Sequence, residues 1–398
     1  MHARPVVAGL PALVLAALIG TMAMMSFVAV IGPVVRLLGL SEWHAGLSVT
    51  AAGVLWMLAA RPWGLLSDRI GRKRVLLLAM AAYTVIYIGL AVFIDVALQV
   101  VPPVLVSVLV LVGARGLIGL FYAAVPPTAA ALIADQAPSG QRAQFMARLG
   151  SANALGMVLG PAAAGWLAYR NLPMALYVAA LLPLLSLALI AWRLPATPPV
   201  AAAQARARAP MSRLDARLRL PQLAAFLGMV SVTIAQVTVG FFAIDRFVLD
   251  AAAGARMAGI ALTAVGVGLI LAQVLVMKLE VHPRRWIMIG ALIAGLGFAS
   301  VAAVQLPWQL PLAYAVAAFG MGFVFPSFQA LAADAVKPHE QGAAAGTVAA
   351  AQGLGMVAGP MLGTVLYRAG ASLPYLLVGV LLLLLCGLAM AHRAKETA

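Results

Sequence analysis

The sequence predicts an all-α membrane protein: twelve transmembrane helices in two six-helix halves that repeat in the same direction. Two observations carry that prediction. First, Leu155–Leu167 reads LGMVLGPAAAGWL and Leu354–Leu366 reads LGMVAGPMLGTVL, with Pro161 and Pro360 lying 199 positions apart in a chain of 398. The match runs without a gap back to an acid, Asp135 in one copy and Asp334 in the other. Second, 64% of the residues are apolar and only 9% are charged, whereas soluble domains carry about a quarter charged residues. A water-soluble chain of this composition would have to present an apolar exterior. A duplicated apolar half is the pattern of a parallel-repeat membrane architecture.

The elements follow in order from the requirement for about 20 apolar residues per crossing. Segment one, 9–31, follows His2 and Arg4. It reads as a helix rather than a cleaved signal, because its apolar run continues to Ile31 and its removal would leave the first half one helix short. Segments two and three cover 45–66 and 75–94 around a basic loop. Segment four, 103–133, is too long for one straight crossing, and Pro126 and Pro127 are expected to bend it or mark its exit. Segments five and six cover 144–168 and 173–192. The second half supplies 221–243, 256–277, 286–305, 311–333, 343–367 and 372–391. The expected domains are thus 1–192, a linker at 193–219, and 220–398. The linker opens with LPATPPVAAAQARARAP, which reads as a mobile tether. It ends with Arg213, Asp215, Arg217 and Arg219, which read as a short helix lying on anionic lipid.

Lys and Arg set the expected orientation. With the N-terminus cytoplasmic, the inner side holds Arg61, Arg69, Arg72, Lys73, Arg74, Arg148, Arg193, the linker arginines, Lys278, Arg284, Arg285 and Lys337, among others. The outer side holds Arg36, Arg170, Arg246, Arg256 and Arg368. Both termini are therefore expected inside. The net charge of +15 comes from residues scattered over short connections, which fits lipid headgroups and not nucleic acid. Cys386 is the only cysteine, so neither an internal disulfide nor a Cys-based metal site is expected.

Three motifs carry chemistry. Between segments two and three stands Gly64-Leu-Leu-Ser-Asp68-Arg69-Ile-Gly71-Arg72-Lys73-Arg74. Gly64 permits close helix approach and Gly71 a tight turn. Asp68 can accept from the N-terminal amides of a neighbouring helix, and Arg72 can pair with a carboxylate on the same face. Segment four carries Leu111-Val-Gly-Ala-Arg115-Gly-Leu-Ile-Gly119, in which Arg115 is the one charge placed deep inside a helix. Segment five carries Gly156, Gly160, Pro161 and Gly165, and segment eleven repeats them as Gly355, Gly359, Pro360 and Gly363. Glycines four apart bring helix backbones together, and the proline removes one hydrogen bond.

The first motif, the twelve helices and the two halves together resemble the major facilitator superfamily over the whole chain. The segment-four and segment-five motifs are similar to those of its drug–proton antiporter branch, with Ile118 and Ala164 departing from the usual residues. The resemblance implies a secondary active transporter of the bacterial inner membrane that exports small molecules, drugs or a siderophore-like metabolite, against protons by alternating access. It implies no enzyme activity, no cofactor and no metal, and a chain that acts as a monomer. It also implies that Asp68 and its neighbours latch one face with Asp135 as partner, and that Arg115 takes part in proton transfer. In the second half, Met277-Lys-Leu-Glu-Val-His-Pro-Arg284-Arg285 keeps the basic end without the Gly-Asp core, so an asymmetric latch is expected. Cargo is expected between segments one, four, seven and ten, with candidates Met25, Phe27, Arg115, Tyr122, Gln236, Phe241, Phe323, Phe328 and Gln329.

Segment one holds no acid, and the acids lie at helix ends or in loops. Proton coupling through a midplane acid is therefore in doubt, and Asp135 is favoured over Asp245. An importer of a small metabolite, or a sensor that transports nothing, uses the same fold. The segment-five motif argues against the first and the intact loop motif against the second.

Overall fold

The computed structural model describes residues 5–137, 142–195, 215–279, 281–337 and 340–396. The Pro/Ala-rich tether and Arg213 of the linker lie outside the described residues, as does Arg4. Helix carries nearly everything else: α1 (Pro5–Leu37), α2 (Glu42–Ile70), α3 (Arg72–Gln99), α4 (Val104–Tyr122), α5 (Val125–Gln136), α6 (Arg142–Arg170), α7 (Leu172–Arg193), α8 (Arg219–Phe247), α9 (Ala251–Lys278), α10 (Pro283–Ser300), α11 (Gln309–Asp334), α12 (Gln341–Ala369) and α13 (Leu373–Glu396). A bilayer offers the backbone no water to bond, so continuous helices are the solution an apolar chain adopts. Polar residues at the ends start them. The Asn171 side chain accepts from the Met174 amide at 2.8 Å, and Asp250 Oδ1 from the Ala253 amide at 2.7 Å.

Twelve segments become thirteen helices because segment four breaks at Ala123–Ala124. Pro126 and Pro127 there remove two successive amide donors and sit in the first turn of α5, where such donors have no helical partner anyway. The repeat supplies a control. Pro326 stands 199 positions after Pro127 but has Phe325 before it, and α11 runs through it unbroken. One proline is absorbed; two end the helix. Eleven spans among the described residues, α4 and α5 counting as one, are long and apolar enough to cross a membrane. The twelfth, α6, is 29 residues long but mixes Arg148, Ser151 and Asn153 with many Gly and Ala. Large apolar side chains point outward along the spans, Val85 at 71% and Leu105 at 68% exposure among them, a surface suited to lipid and not water.

Two compact units result: Met1–Gln204 with Asp250–Gly259, and Ala205–Leu249 with Ile260–Ala398. The start of α9 counts with the first unit, where Gly259 and Gly165 meet so closely that a Cβ on either would strike the other's backbone. Within unit 1, α1 packs on α6 and α7, α2 on α4, and α3 on α7. Within unit 2, α8 packs on α12, and α10 on α11 and α13. The described end of the linker is pinned inside unit 2. Arg217 donates to Asp215 at 2.8 Å and to both oxygens of Glu340 at 3.1 and 3.2 Å. The Arg217 side-chain bonds, helped by its amide, hold the Asp215 carboxyl below its usual range.

Candidate functional site

The charged cluster at the α2–α3 turn is built by Gly71, whose φ of +98° gives a turn that a side chain would strain. The turn places Arg72 at the first position of α3, only 8% exposed. Its Nε donates to Asp135 Oδ2 at 3.1 Å and its Nη1 to Ser67 Oγ at 2.7 Å, while Nη1 lies 2.5 Å from Asp68 Oδ1. One guanidinium thus bridges the last turn of α2 and the end of α5. The fork geometry does this where an ammonium, a point charge, would have to choose. Asp68 and Asp135 remain 46% and 43% exposed, so the bridge is partly screened. Arg69 and Arg74 face outward, and Lys73 Nζ donates to the Ala191 carbonyl at 2.9 Å, near the end of α7.

Two expectations are corrected here. Asp68 meets Arg72 instead of helix amides, because the fourth residue along brings a guanidinium within reach first. A Cβ on Gly64 would meet nothing within 4 Å, so the close approach expected there is absent; its carbonyl instead accepts from Ser67 Oγ at 2.7 Å. The second unit reproduces half of the cluster. Arg284, second in α10 as Lys73 is second in α3, donates from Nε to the Ala389 carbonyl at 2.9 Å near the end of α13. Pro283 stands where Arg72 would be, and a proline carries no charge with which to bridge acids.

Arg115 lies in the interior of unit 1, 2% exposed, with its guanidinium 4.8 Å from the centre of the Phe27 ring. Its Nε and Nη1 have no hydrogen-bond partner among the described residues, nor does the Tyr83 hydroxyl. Rings surround it: Tyr83 stacks on Tyr87 at 5.7 Å and tilts against Tyr122 at 5.5 Å. Tyr122 shares a 2.9 Å bond with Thr21, which donates to Asn153 at 3.0 Å, and Tyr87 donates to the Ala23 carbonyl at 3.1 Å. Sequence reasoning found Phe27, Arg115 and Tyr122 but missed Tyr83, Tyr87, Thr21 and Asn153. The i, i+4 spacing of Tyr83 and Tyr87 in an apolar helix was the available signal. Counting back 199 positions, Tyr314 takes the place of Arg115 in the second unit. There the hydroxyl is satisfied, by the Ala235 carbonyl at 2.8 Å and Tyr375 at 3.1 Å. The first unit holds an unpaired charge where the second holds a neutral, bonded group.

The other cargo candidates divide by environment. In unit 1, Met25 is half-buried. In unit 2, Phe241 packs on Tyr367 at 5.8 Å, Phe323 stacks on Trp286 at 4.5 Å, and Phe328 meets Phe325 at 5.8 Å. All three are at most 2% exposed, so their faces are occupied by protein. Gln236 is half-buried and Gln329 exposed. Asp245 accepts from the Tyr367 hydroxyl at 2.8 Å, while its neighbour Arg246 donates to the Val304 carbonyl at 2.6 Å. No group of three or more His, Cys, Asp or Glu suited to a metal occurs among the described residues.

The repeated glycines pack the fifth segment on the first in each unit. A Cβ on Gly156 would meet the Leu18 carbonyl at 2.7 Å, and one on Gly160 the backbone of Met22, both in α1. Gly355, Gly359 and Gly363 do the same against Phe226, Thr233 and Ile234 of α8, and both α6 and α12 continue through Pro161 and Pro360. Gly160→Val is therefore expected to cost about 1–3 kcal/mol by overpacking and to lower the melting temperature and membrane abundance. Gly150→Ala on the same helix, with open space around it, should leave both unchanged. Equal melting temperatures for the two variants would refute the tight α1–α6 contact.

Comparison with known proteins agrees with this architecture. A model of the Major Facilitator Superfamily matches residues 13–255 and 224–397. The chain is 29% identical over 358 residues to a tetracycline resistance protein, class G, of Vibrio anguillarum, covering 86% of each. It is 26% identical over 336 residues to a multi-drug resistance efflux pump PmrA homolog of Lactococcus lactis, covering 81% of this chain and 78% of the other. The solved structure of a point mutant of nucleoside transporter NupG superposes with a TM-score of 0.77 at 14% identity over 96% of this chain and 99% of that one, a likeness of fold. The chain belongs to the Major Facilitator Superfamily, a family of membrane transporters and not of enzymes.

Proposed function

We propose that this chain is a proton-coupled exporter of small molecules in the bacterial inner membrane, with both termini cytoplasmic, working by alternating access. The observation that carries the reading is the contrast between the units at one repeat position. Unit 1 keeps a buried Arg115 whose Nε and Nη1 have no hydrogen-bond partner among the described residues, where unit 2 has a satisfied Tyr314. A buried charge without partners costs several kcal/mol and persists where function requires it. The similarity to tetracycline and multidrug efflux proteins supports export as the direction, and tetracycline is the first cargo to test. In this reading Arg72, Asp68 and Asp135 form a latch on the cytoplasmic face. The segment-five glycines let α1 and α6 move as one body. Transport into inverted vesicles under an imposed pH gradient tests the whole reading: accumulation that collapses with a protonophore is expected, and accumulation indifferent to the gradient would overturn it.

Proton coupling is assigned to Asp135 together with Arg115. Asp135 is bonded to Arg72 in this conformation, so opening the latch changes its partners. Asp245 is held by Tyr367 within its own unit. Asp135→Asn should abolish gradient-driven accumulation, leaving downhill movement of cargo, whereas Asp245→Asn should retain most of it. The opposite pattern would show Asp245 to be the coupling carboxylate.

A further inference from the structure

Unit 2 contains a cleft of about 240 Å³ between the end of α11 and the first three turns of α12. Its walls come from one stripe of each helix. Gln329 and Ala332 lie along α11, and Gln341, Ala345, Ala349 and Gln352 follow one face of α12. At 1.5 Å per residue, Gln341 and Gln352 stand about 16 Å apart along that face. Alanines form the floor, and glutamine amides stand at both ends and on the opposite wall. Among the described residues, no charged side chain lines the cleft. Beyond a long 3.5 Å contact from Gln341 to the Ala333 carbonyl, these three amides show no bond to the rest of the described protein.

The duplication shows that the two halves differ at this cleft. Shifted by 199 positions, Gln329, Gln341 and Gln352 become Ala130, Arg142 and Asn153, and Ala332 and Ala345 become Ile133 and Met146. Unit 1 thus carries larger apolar side chains at two of these positions, though the smaller Gly150 at that of Ala349, and its amide, Asn153, accepts from Thr21. Unit 2 carries alanines where unit 1 has Ile133 and Met146, a neutral residue where unit 1 has Arg142, and an amide on the facing helix where unit 1 has Ala130. Small floor residues with outward amides leave space and unused hydrogen-bonding capacity together.

We propose that this cleft is an intake subsite for uncharged cargo rich in amide and hydroxyl groups. An amide presents both a donor and an acceptor, so three of them recognise mixed hydrogen-bonding patterns and give no advantage to lipophilic cations. The inference rests on the proposed export reading, in which the cleft opens toward the cytoplasm, and it deepens that reading by naming a cargo class.

Equilibrium binding to purified protein in nanodiscs tests the subsite without a gradient. The probes are chloramphenicol, a neutral amide with two hydroxyls, and tetraphenylphosphonium, a cation with no hydrogen-bonding group. Ala345→Met introduces the first half's residue at this position and should weaken chloramphenicol binding at least tenfold by filling the cleft. Each of Gln329→Ala and Gln352→Ala should weaken it about threefold to tenfold, the worth of one neutral hydrogen bond. Tetraphenylphosphonium binding should not change in any variant. The subsite is overturned if wild type fails to bind chloramphenicol, if Ala345→Met binds it unchanged, or if all variants lose both probes alike. Failure of the export reading appears elsewhere, as vesicle transport indifferent to the gradient while the binding differences persist.

Discussion

Asp68→Asn is expected to reduce transport at least tenfold while membrane abundance stays near wild type. Asp68 lies 2.5 Å from Arg72 Nη1, and the same guanidinium holds Asp135 at 3.1 Å. Removing one carboxylate charge weakens a charge-assisted contact worth about 1.5–3 kcal/mol, reduced by the half exposure of the acids. A residual effect of about 1.4 kcal/mol still shifts a two-state balance tenfold. Folding should survive, because Asp68 supports no buried core and Arg72 keeps Ser67 and Asp135 as acceptors. Arg72→Lys should be nearly as damaging, since an ammonium cannot bridge α2 and α5 at once. Transport is read in vesicles and abundance by quantitative blotting. Wild-type turnover in Asp68→Asn would remove the cluster from the transport cycle and leave it a topological anchor.

The architecture was legible because it depends on quantities a sequence displays: apolar run length, the 199-residue repeat and the distribution of basic residues. The helix break was legible only in part. Two prolines announced a disturbance at segment four, but separating a bend from a break required the single-proline counterpart in α11, which stays continuous. The site was less legible, because a Phe in an apolar helix looks the same whether it lines a cavity or packs on a ring. Phe241, Phe323 and Phe328 are all packed on rings of their own unit, a fact decided by neighbours far away in sequence. The surroundings of Arg115 were hidden for the same reason. Tyr83 and Tyr87 carry no charge and match no motif, yet Tyr83 packs on both Tyr87 and Tyr122. The cleft at Gln329 shows the reverse case. Its residue differences were visible in the repeat all along, but they acquire meaning only when the two helices are seen to leave a space between them.

Arg115→Met is expected to abolish transport and yet to leave the melting temperature unchanged or higher by a few degrees. The two outcomes together separate function from structure. A structural arginine satisfies carbonyls and becomes costly to remove. Here Nε and Nη1 are buried without partners, and the favourable contact in view is the Phe27 ring at 4.8 Å, worth about 2 kcal/mol when desolvated. Burying the charge costs several kcal/mol, so an apolar side chain of similar length should recover at least what the ring contact loses. Met, being flexible, fills the same space without a polar atom to orphan. Arg115→Lys keeps the charge but concentrates it on a strongly hydrated ammonium. It should therefore melt lower than Arg115→Met while recovering little transport. The measurements are melting of the purified protein and gradient-driven uptake by vesicles, made on the same three proteins. Transport restored fully by Lys would show that charge alone suffices. A large loss of melting temperature in Met, reversed by Lys, would instead make Arg115 a support of the fold, and the proposal that it serves the transport cycle would fall.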